Sequence, residues 1–230
     1  MTPYQTKLWY LQNINLFSGT PRDEMLVIER MTTMETVKRR QPIYLPGDPG
    51  DRVFLLKTGQ VKLSRISEDG KELTMAILHP GDIFGELEVL DDSPRDSMAE
   101  ALEDTSLCVM RRQDFESLLK RRPDLTVRLT KLIGLRLKRI ENRVEDLVFK
   151  DVPSRLAGLL LQLSQEFGVK EERGLRLHTK VTHQEMANLI GSTRETVTAT
   201  LGDFRRAGLV ELDRHEIIIK NLQGLANLSS

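Results

Sequence analysis

Residues 181–201, VTHQEMANLIGSTRETVTATL, carry two helix starts on either side of one glycine. Thr182-His183-Gln184-Glu185 and Ser192-Thr193-Arg194-Glu195 both have the S/T-x-x-E form of a capping box, in which the hydroxyl accepts from the N3 amide and the N3 carboxylate reaches back to the cap N–H. Gly191 stands between them, where a sharp connection needs a left-handed residue. Ala187 is small enough for close helix contact and Val197 gives the second helix an apolar residue to pack on the first. The spacing predicts a helix-turn-helix. An ordinary αα-hairpin shares that spacing, but here the second helix opens with Ser192, Thr193, Arg194, Glu195, Thr196 and Thr198. β-Branched threonine is a poor choice for a helix face that meets only water. Hydroxyls and arginine at a helix N-terminus suit phosphates and base edges; arginine pairs bidentately with guanine O6 and N7, and glutamate accepts from cytosine N4. Glu195 is explained equally by capping.

Working outward, Leu209-Val210-Glu211-Leu212 and Glu216-Ile217-Ile218-Ile219 read as a two-stranded wing, LRLHTKVT as a short strand leading into the helix pair, and SRLAGLLLQLSQEFG as a buried helix. Asp151-Val152-Pro153 closes the preceding long helix, because a residue before proline is pushed away from αR, and a hinge is expected there. Within that long helix Ile133, Leu137, Ile140, Val144 and Leu147 step by 4, 3, 4 and 3 between charged neighbours. A narrow seam of period about 3.5 is what two copies need to form a coiled coil. A single amphipathic helix lying on its own barrel is the other reading.

Residues 39 to about 112 have a different character. PIYLPGDPGDRVFLLKTGQVKLSRISEDGKELTMAILHPGDIFGE is punctuated by Gly47, Gly50, Gly59, Gly70, Gly81 and Gly85, which predicts many short antiparallel strands and a β-barrel or jelly roll. Asp69-Gly70 marks a tight hairpin of type I′. From Met1 to about Lys38 the pattern is helical, with a start at Thr20-Pro21-Arg22-Asp23 that puts proline at the first helical position. The expected division is 1–122 barrel domain, 123–150 dimerisation helix and hinge, and 151–230 DNA-binding domain, in an α+β architecture with a C-terminal winged helix-turn-helix.

At 230 residues the chain has room for two domains of about 100 to 150 residues. Lys plus Arg and Asp plus Glu are 34 each, so no global charge points to a polyanion or membrane, and any nucleic-acid contact must be local. The residues from Asp151 onward hold ten of each sign, so charge adds no support there either. The lone cysteine, Cys108, excludes an intramolecular disulfide and zinc-type cysteine spacing, and fits a reducing cytoplasm. The first residues lack the form of an export signal, and no run approaches about 18 apolar residues, so no membrane role is expected.

PGDPGDRVFLLKTGQVKL, HPGDIFGELEVLDDSPR, FKDVPSRLAGLL and HQEMANLIGSTRETVTATL, in this order, resemble the barrel glycines, phosphate-binding cassette, hinge and recognition motif of the cyclic-AMP receptor protein/FNR (CRP/FNR) family of bacterial transcription regulators. The resemblance implies a cytoplasmic homodimer that binds double-stranded DNA at a TGTGA-like inverted repeat and contacts RNA polymerase. It matches Arg194 and Glu195 to the two main base-reading positions, and Thr182, Ser192, Thr193 and Thr196 to phosphate contacts. Ala199 stands where the cyclic-AMP receptor has a second base-reading arginine, with Thr198 a substitute beside it.

In the cassette, Gly85, Glu86, Leu87, Arg95 and Ser97 resemble a cyclic-nucleotide site, arginine and backbone amides serving the phosphate and glutamate the ribose 2′-hydroxyl. Asp96 departs from the small residue usual after the arginine; its carboxylate opposes a phosphate unless neutralised or turned outward. Ile140 and Glu141 align with the adenine-facing hydroxyl positions and supply no hydroxyl. Cyclic AMP, another small effector and no effector all remain open, and Glu86 paired with Arg95 in a vestigial pocket is the bland alternative. No iron–sulfur cluster is expected without N-terminal cysteines. His79 reads as a surface turn residue and Cys108 as core, which leaves little for haem. Two rivals are a nucleotide-sensing scaffold whose helix pair docks a protein, and a metal enzyme built on Glu86, Glu88, Asp91 and Asp92; turn chemistry already explains those aspartates, and neither catalytic residues nor a metal site are expected.

Overall fold

The computed structural model describes residues 7–177, 181–213 and 216–229. The chain divides into two compact units, Met1–Lys138 and Arg139–Ser230.

The first unit opens with α1 (Lys7–Gln12), a 3-10 turn and α2 (Arg22–Arg30). Helix was expected to run on to about Lys38, but Thr32–Val37 is strand β1. Its threonines and valine suit a pleated surface, and it pairs antiparallel with β8 (Thr105–Arg111), from Thr32 opposite Met110 to Val37 opposite Thr105. Pro21 stands at the N-cap of α2 with φ −57° and ψ 151°, one place earlier than the expected first helical position. The remaining strands are β2 (Pro42–Tyr44), β3 (Arg52–Thr58), β4 (Val61–Ile66), β5 (Glu72–Leu78), β6 (Ile83–Phe84) and β7 (Met98–Ala101). They form two antiparallel sheets, ordered β1-β8-β3-β6 and β2-β7-β4-β5, in a jelly-roll-like arrangement.

The alternation of β3 explains how the first sheet buries both faces. Phe54 and Leu56 point to a core with Tyr44, Val61, Leu78, Phe84, Leu107 and Val109. Val53 and Leu55 point the other way, to a core with Leu11, Phe17, Met25 and Ile28 of the N-terminal segment, Phe115 and Leu118 of α4 (Arg112–Arg121), and Leu125 and Leu129 of α5 (Pro123–Phe149). Each such side chain contributes about 1.5 to 3 kcal/mol when fully buried. Cys108 belongs to this second core, its sulfur 3.4 Å from that of Met34, and burial pushes its thiol pKa up.

The β4–β5 hairpin forms where Asp69-Gly70 placed it, with a different turn. Gly70 has φ 79° but Asp69 does not have positive φ, and Ser67 N donates to Lys71 O and Gly70 N to Ser67 O, both at 2.9 Å. One left-handed residue closes a three-residue loop, so the second positive φ of type I′ is not needed.

Along α5, Ile133 packs against its own barrel core, as the single-helix reading has it for that residue. Leu135 and Leu137 are exposed. In the second unit Ile140 is half-buried, Val144, Val148 and Phe149 are exposed, and Leu147 lies against Gly191.

The second unit continues with α6 (Val152–Phe167), β9 (Gly168–Glu171), β10 (Gly174–Leu177), α7 (His183–Ile190), α8 (Arg194–Arg206), β11 (Val210–Asp213), β12 (Glu216–Ile219) and α9 (Leu222–Leu228). Asp151 opens α6 as its N-cap, accepting from Ser154 N at 2.9 Å, with proline in the first turn. The expected wing is half of a four-stranded sheet ordered β11-β12-β10-β9, in which β9 was not foreseen. The strand expected from Leu175 onward is seen to Leu177, and residues 178–180 lie outside the described residues. α6 packs against α7, α8 and α9 through a face that includes buried Leu156, Ala157 and Leu160.

Candidate functional site

α7 is capped as its sequence requires. Thr182 accepts from Glu185 N at 3.2 Å and the Glu185 carboxylate accepts from Thr182 N. Gly191 ends the helix with φ 62° and ψ 51°, and both its N–H and that of Ser192 donate to Ala187 O. That second bond draws Ser192 into the end of α7. The cap of α8 therefore falls on Thr193, which has φ −99° and ψ 156° and accepts from Thr196 N at 3.2 Å. The expected Ser192–Glu195 capping box does not form, and Glu195 stands in the first turn of α8 with its carboxylate outside any box.

α8 buries Val197, Thr200, Leu201 and Phe204 and exposes Arg194, Glu195, Thr196, Thr198 and Ala199. The one-turn spacing of 194 with 198 and of 195 with 199 puts four of these on a single face. Thr182 and Thr193 are also exposed, and Ser192 is half-buried. The positive end of the helix dipole lies at this end of the face. Burial, and then the neighbouring Arg194, push the His183 imidazole below its ordinary range.

In the barrel, Gly85 has φ 73°, and a Cβ there would lie 2.8 Å from Arg95 Nη1 and 3.1 Å from the Phe54 ring. Arg95 is buried; its Nη1 donates to Gly85 O and to Glu88 Oε2, each at 2.9 Å, and its Nη2 donates to Arg52 O. Its guanidinium sits 4.5 Å from the Tyr44 ring centroid. Glu86, 2% exposed, pairs instead with Arg136 of α5 at 2.8 Å. The anticipated Glu86–Arg95 pair is thus replaced by two pairs, Glu86–Arg136 and Arg95–Glu88. Burial pushes the Glu86 carboxyl up, against the pull of Arg136. Asp96 is exposed and neutralised by Arg65. Leu87 opens the short α3 (Leu87–Leu90) with its side chain exposed, and Ser97 is half-buried. Ile140 and Glu141 belong to the second unit, and Glu141 is exposed.

The two aspartates of the Glu86, Glu88, Asp91 and Asp92 group are engaged locally: Asp91 accepts from the Ser93 amide and hydroxyl, and Asp92 pairs with Arg112. Among the described residues no group of three or more His, Cys, Asp or Glu is placed to hold a metal, and no helix is long and apolar enough to cross a membrane.

Residues 34–122 match the family model described as a cyclic nucleotide-binding domain, and residues 154–228 the one described as a Crp-like helix-turn-helix domain. A CRP-like cAMP-activated global transcriptional regulator from Mycobacterium tuberculosis is 34% identical over 216 residues, 94% of this chain and 96% of that protein. The chain belongs to the CRP/FNR family of transcription regulators. The global nitrogen regulator of Synechocystis is 36% identical over 82% of this chain and 84% of its own length. A mutant of CooA from Carboxydothermus hydrogenoformans superposes with a TM-score of 0.79 at 29% identity, covering 99% of this chain and 97% of that one. As a CRP/FNR member the protein is a DNA-binding transcription regulator and not an enzyme.

CRP/FNR membership poses the question of a cyclic nucleotide in the barrel. Arg95 and Glu86 are of the right kind, but both are satisfied by protein. A phosphate reaching Arg95 would have to displace the Glu88 carboxylate, itself only 8% exposed, and a hydroxyl reaching Glu86 would compete with Arg136. As arranged, these residues do not fit a nucleotide phosphate. Glu88, Arg136, Arg65 and Tyr44 were not foreseen in these roles.

Proposed function

We propose that this CRP/FNR regulator acts in the cytoplasm as a homodimer that reads a TGTGA-like inverted repeat through α8 and engages RNA polymerase when bound, and that no cyclic nucleotide is needed for DNA binding. The observation that carries the DNA reading is the exposed α8 face. Arg194 and Glu195 lie at its N-terminus, where recognition helices meet base edges, and Glu195 is not consumed by capping. Leu137 and Val144 of α5, each 54% exposed, support the dimer, because apolar side chains at coiled-coil spacing favour a second copy over water. Thr182, Ser192, Thr193 and Thr196 supply hydroxyls and helix-start amides for phosphates. The Glu88 carboxylate on Arg95 supports nucleotide independence by supplying internally the negative charge a phosphate would bring.

Fluorescence anisotropy on a TGTGA inverted-repeat duplex and a scrambled duplex, at physiological salt with and without cyclic AMP, tests the proposal. Tight binding to the repeat alone, unchanged by cyclic AMP, is expected. Binding that requires the nucleotide would overturn nucleotide independence, and equal weak binding to both duplexes would favour a helix pair that docks a protein.

A further inference from the structure

Thr198 and Ala199 are exposed on the outward face of α8, one turn beyond Arg194 and Glu195. Ala199, in the place of the family's second base-reading arginine, has no hydrogen-bond donor. Thr198 has a single hydroxyl proton, and the hydroxyl is engaged twice within the protein. Oγ1 donates to Arg194 O at 2.8 Å and lies 2.9 Å from Nδ1 of His183, fifteen residues away at the start of α7. With the hydroxyl proton on the carbonyl, the ring nitrogen is the donor of the second bond. No proton is left for guanine O6 or N7. The face instead offers two methyl groups, Cγ2 of Thr198 and Cβ of Ala199, and the major-groove group that matches an alanine or threonine methyl is the C5-methyl of thymine.

We infer that Thr198 and Ala199 select a thymine through its C5-methyl at a base pair adjacent to those met by Arg194 and Glu195, and that His183 is the positioning residue that holds the Thr198 hydroxyl away from the base. This rests on the DNA-reading role proposed for α8. It gives the protein a half-site of its own, with an apolar contact where its family resemblance puts a charged one.

In the test, the full-length protein selects a preferred site from a randomised duplex pool, with and without cyclic AMP. Each thymine of that site is then replaced by deoxyuridine, which lacks only the methyl. The expected result is one thymine per half-site whose replacement weakens binding about fourfold, the worth of one buried methyl group. The effect should persist in Thr198→Val, which keeps a methyl, and shrink in Thr198→Ser, which keeps only the hydroxyl. His183→Ala should lower the thymine-over-deoxyuridine ratio, and His183→Asn, with an amide nitrogen near the place of Nδ1, should restore it. A site in which no thymine methyl matters overturns the methyl contact, and a methyl effect unchanged in Thr198→Ser overturns the part given to Thr198, while specific DNA binding stands in both cases. A ratio unchanged in His183→Ala overturns the positioning role. A selection that returns no preferred sequence overturns the DNA reading itself, and this inference with it.

Discussion

Arg136 donates from Nη1 to the Glu86 carboxylate at 2.8 Å and from Nη2 to Ile83 O at 2.7 Å, closing a link across fifty residues of sequence onto an acid that water scarcely reaches. Removing one partner of a buried pair leaves the other charge uncompensated. Arg136→Met should therefore destabilise the first unit by about 3 kcal/mol at neutral pH in urea unfolding. The pH dependence has a definite sign. Burial holds the folded carboxyl above its ordinary value, so the folded state keeps its proton to higher pH than the unfolded chain. The contribution of Glu86 is then full below the ordinary carboxylate range and is lost as pH rises through the elevated folded value. Arg136→Met should steepen that loss and regain stability in acid, and adding Glu86→Gln should abolish the extra slope.

Glu88 and Arg95 make the complementary case. Glu88→Gln leaves a buried guanidinium without its carboxylate, so the melting temperature should fall and then rise on addition of inorganic phosphate or cyclic AMP, because a ligand that binds only the folded state stabilises it. The wild-type protein should show little such response. A wild-type melting temperature that climbs as far as that of the variant would show that Glu88 does not stand in the way of an anion.

Capping and base reading should separate cleanly on α8. Thr193→Ala should cost about 1 kcal/mol of stability through the lost cap. Glu195→Ala should leave thermal stability nearly unchanged while reducing discrimination between the inverted repeat and its variants by about 1 to 3 kcal/mol. Denaturation and competition binding on the same two proteins provide the check.

Gly191→Ala should destabilise the second unit by about 1 kcal/mol or more, because φ is 62° there and the new Cβ would meet Leu147 Cδ2 at 2.7 Å. Thermal unfolding reads this directly, and Gly191→Asn, which tolerates the left-handed region better, should recover part of the loss.

Leu137→Asp combined with Val144→Asp places charges on the exposed apolar seam of α5. Light scattering should give the mass of one chain for the variant and of two for the wild type, with the circular dichroism of the helices retained.

What was legible in the sequence was local. Thr182 and Gly191 act within a turn of themselves, so the boundaries of α7 follow from a few adjacent residues. The cap of α8 was misplaced by one residue because Ser192 and Thr193 are both good caps, and the choice is made by the Ser192 N–H bond that completes the preceding helix. The helical pattern up to about Lys38 does not show β1, whose identity comes from pairing with β8, 68 to 78 residues along the chain. The pocket was the least legible part. Gly85, Glu86 and Arg95 belong to one short cassette, but their charge partners were set by packing: Arg136 by the face α5 turns to the barrel, Glu88 by the coil of α3. A motif names the groups a site contains without saying which of them already hold one another.

Cys108 lies at the centre of the barrel sheet, 1% exposed, and the sequence has no other cysteine. A thiol held protonated and out of solvent is slow to alkylate. The native protein therefore has a silent chemical background: a single cysteine introduced on any exposed loop takes up a maleimide dye alone. The rate at which Cys108 itself is eventually labelled becomes a clock for the opening of the sandwich around it.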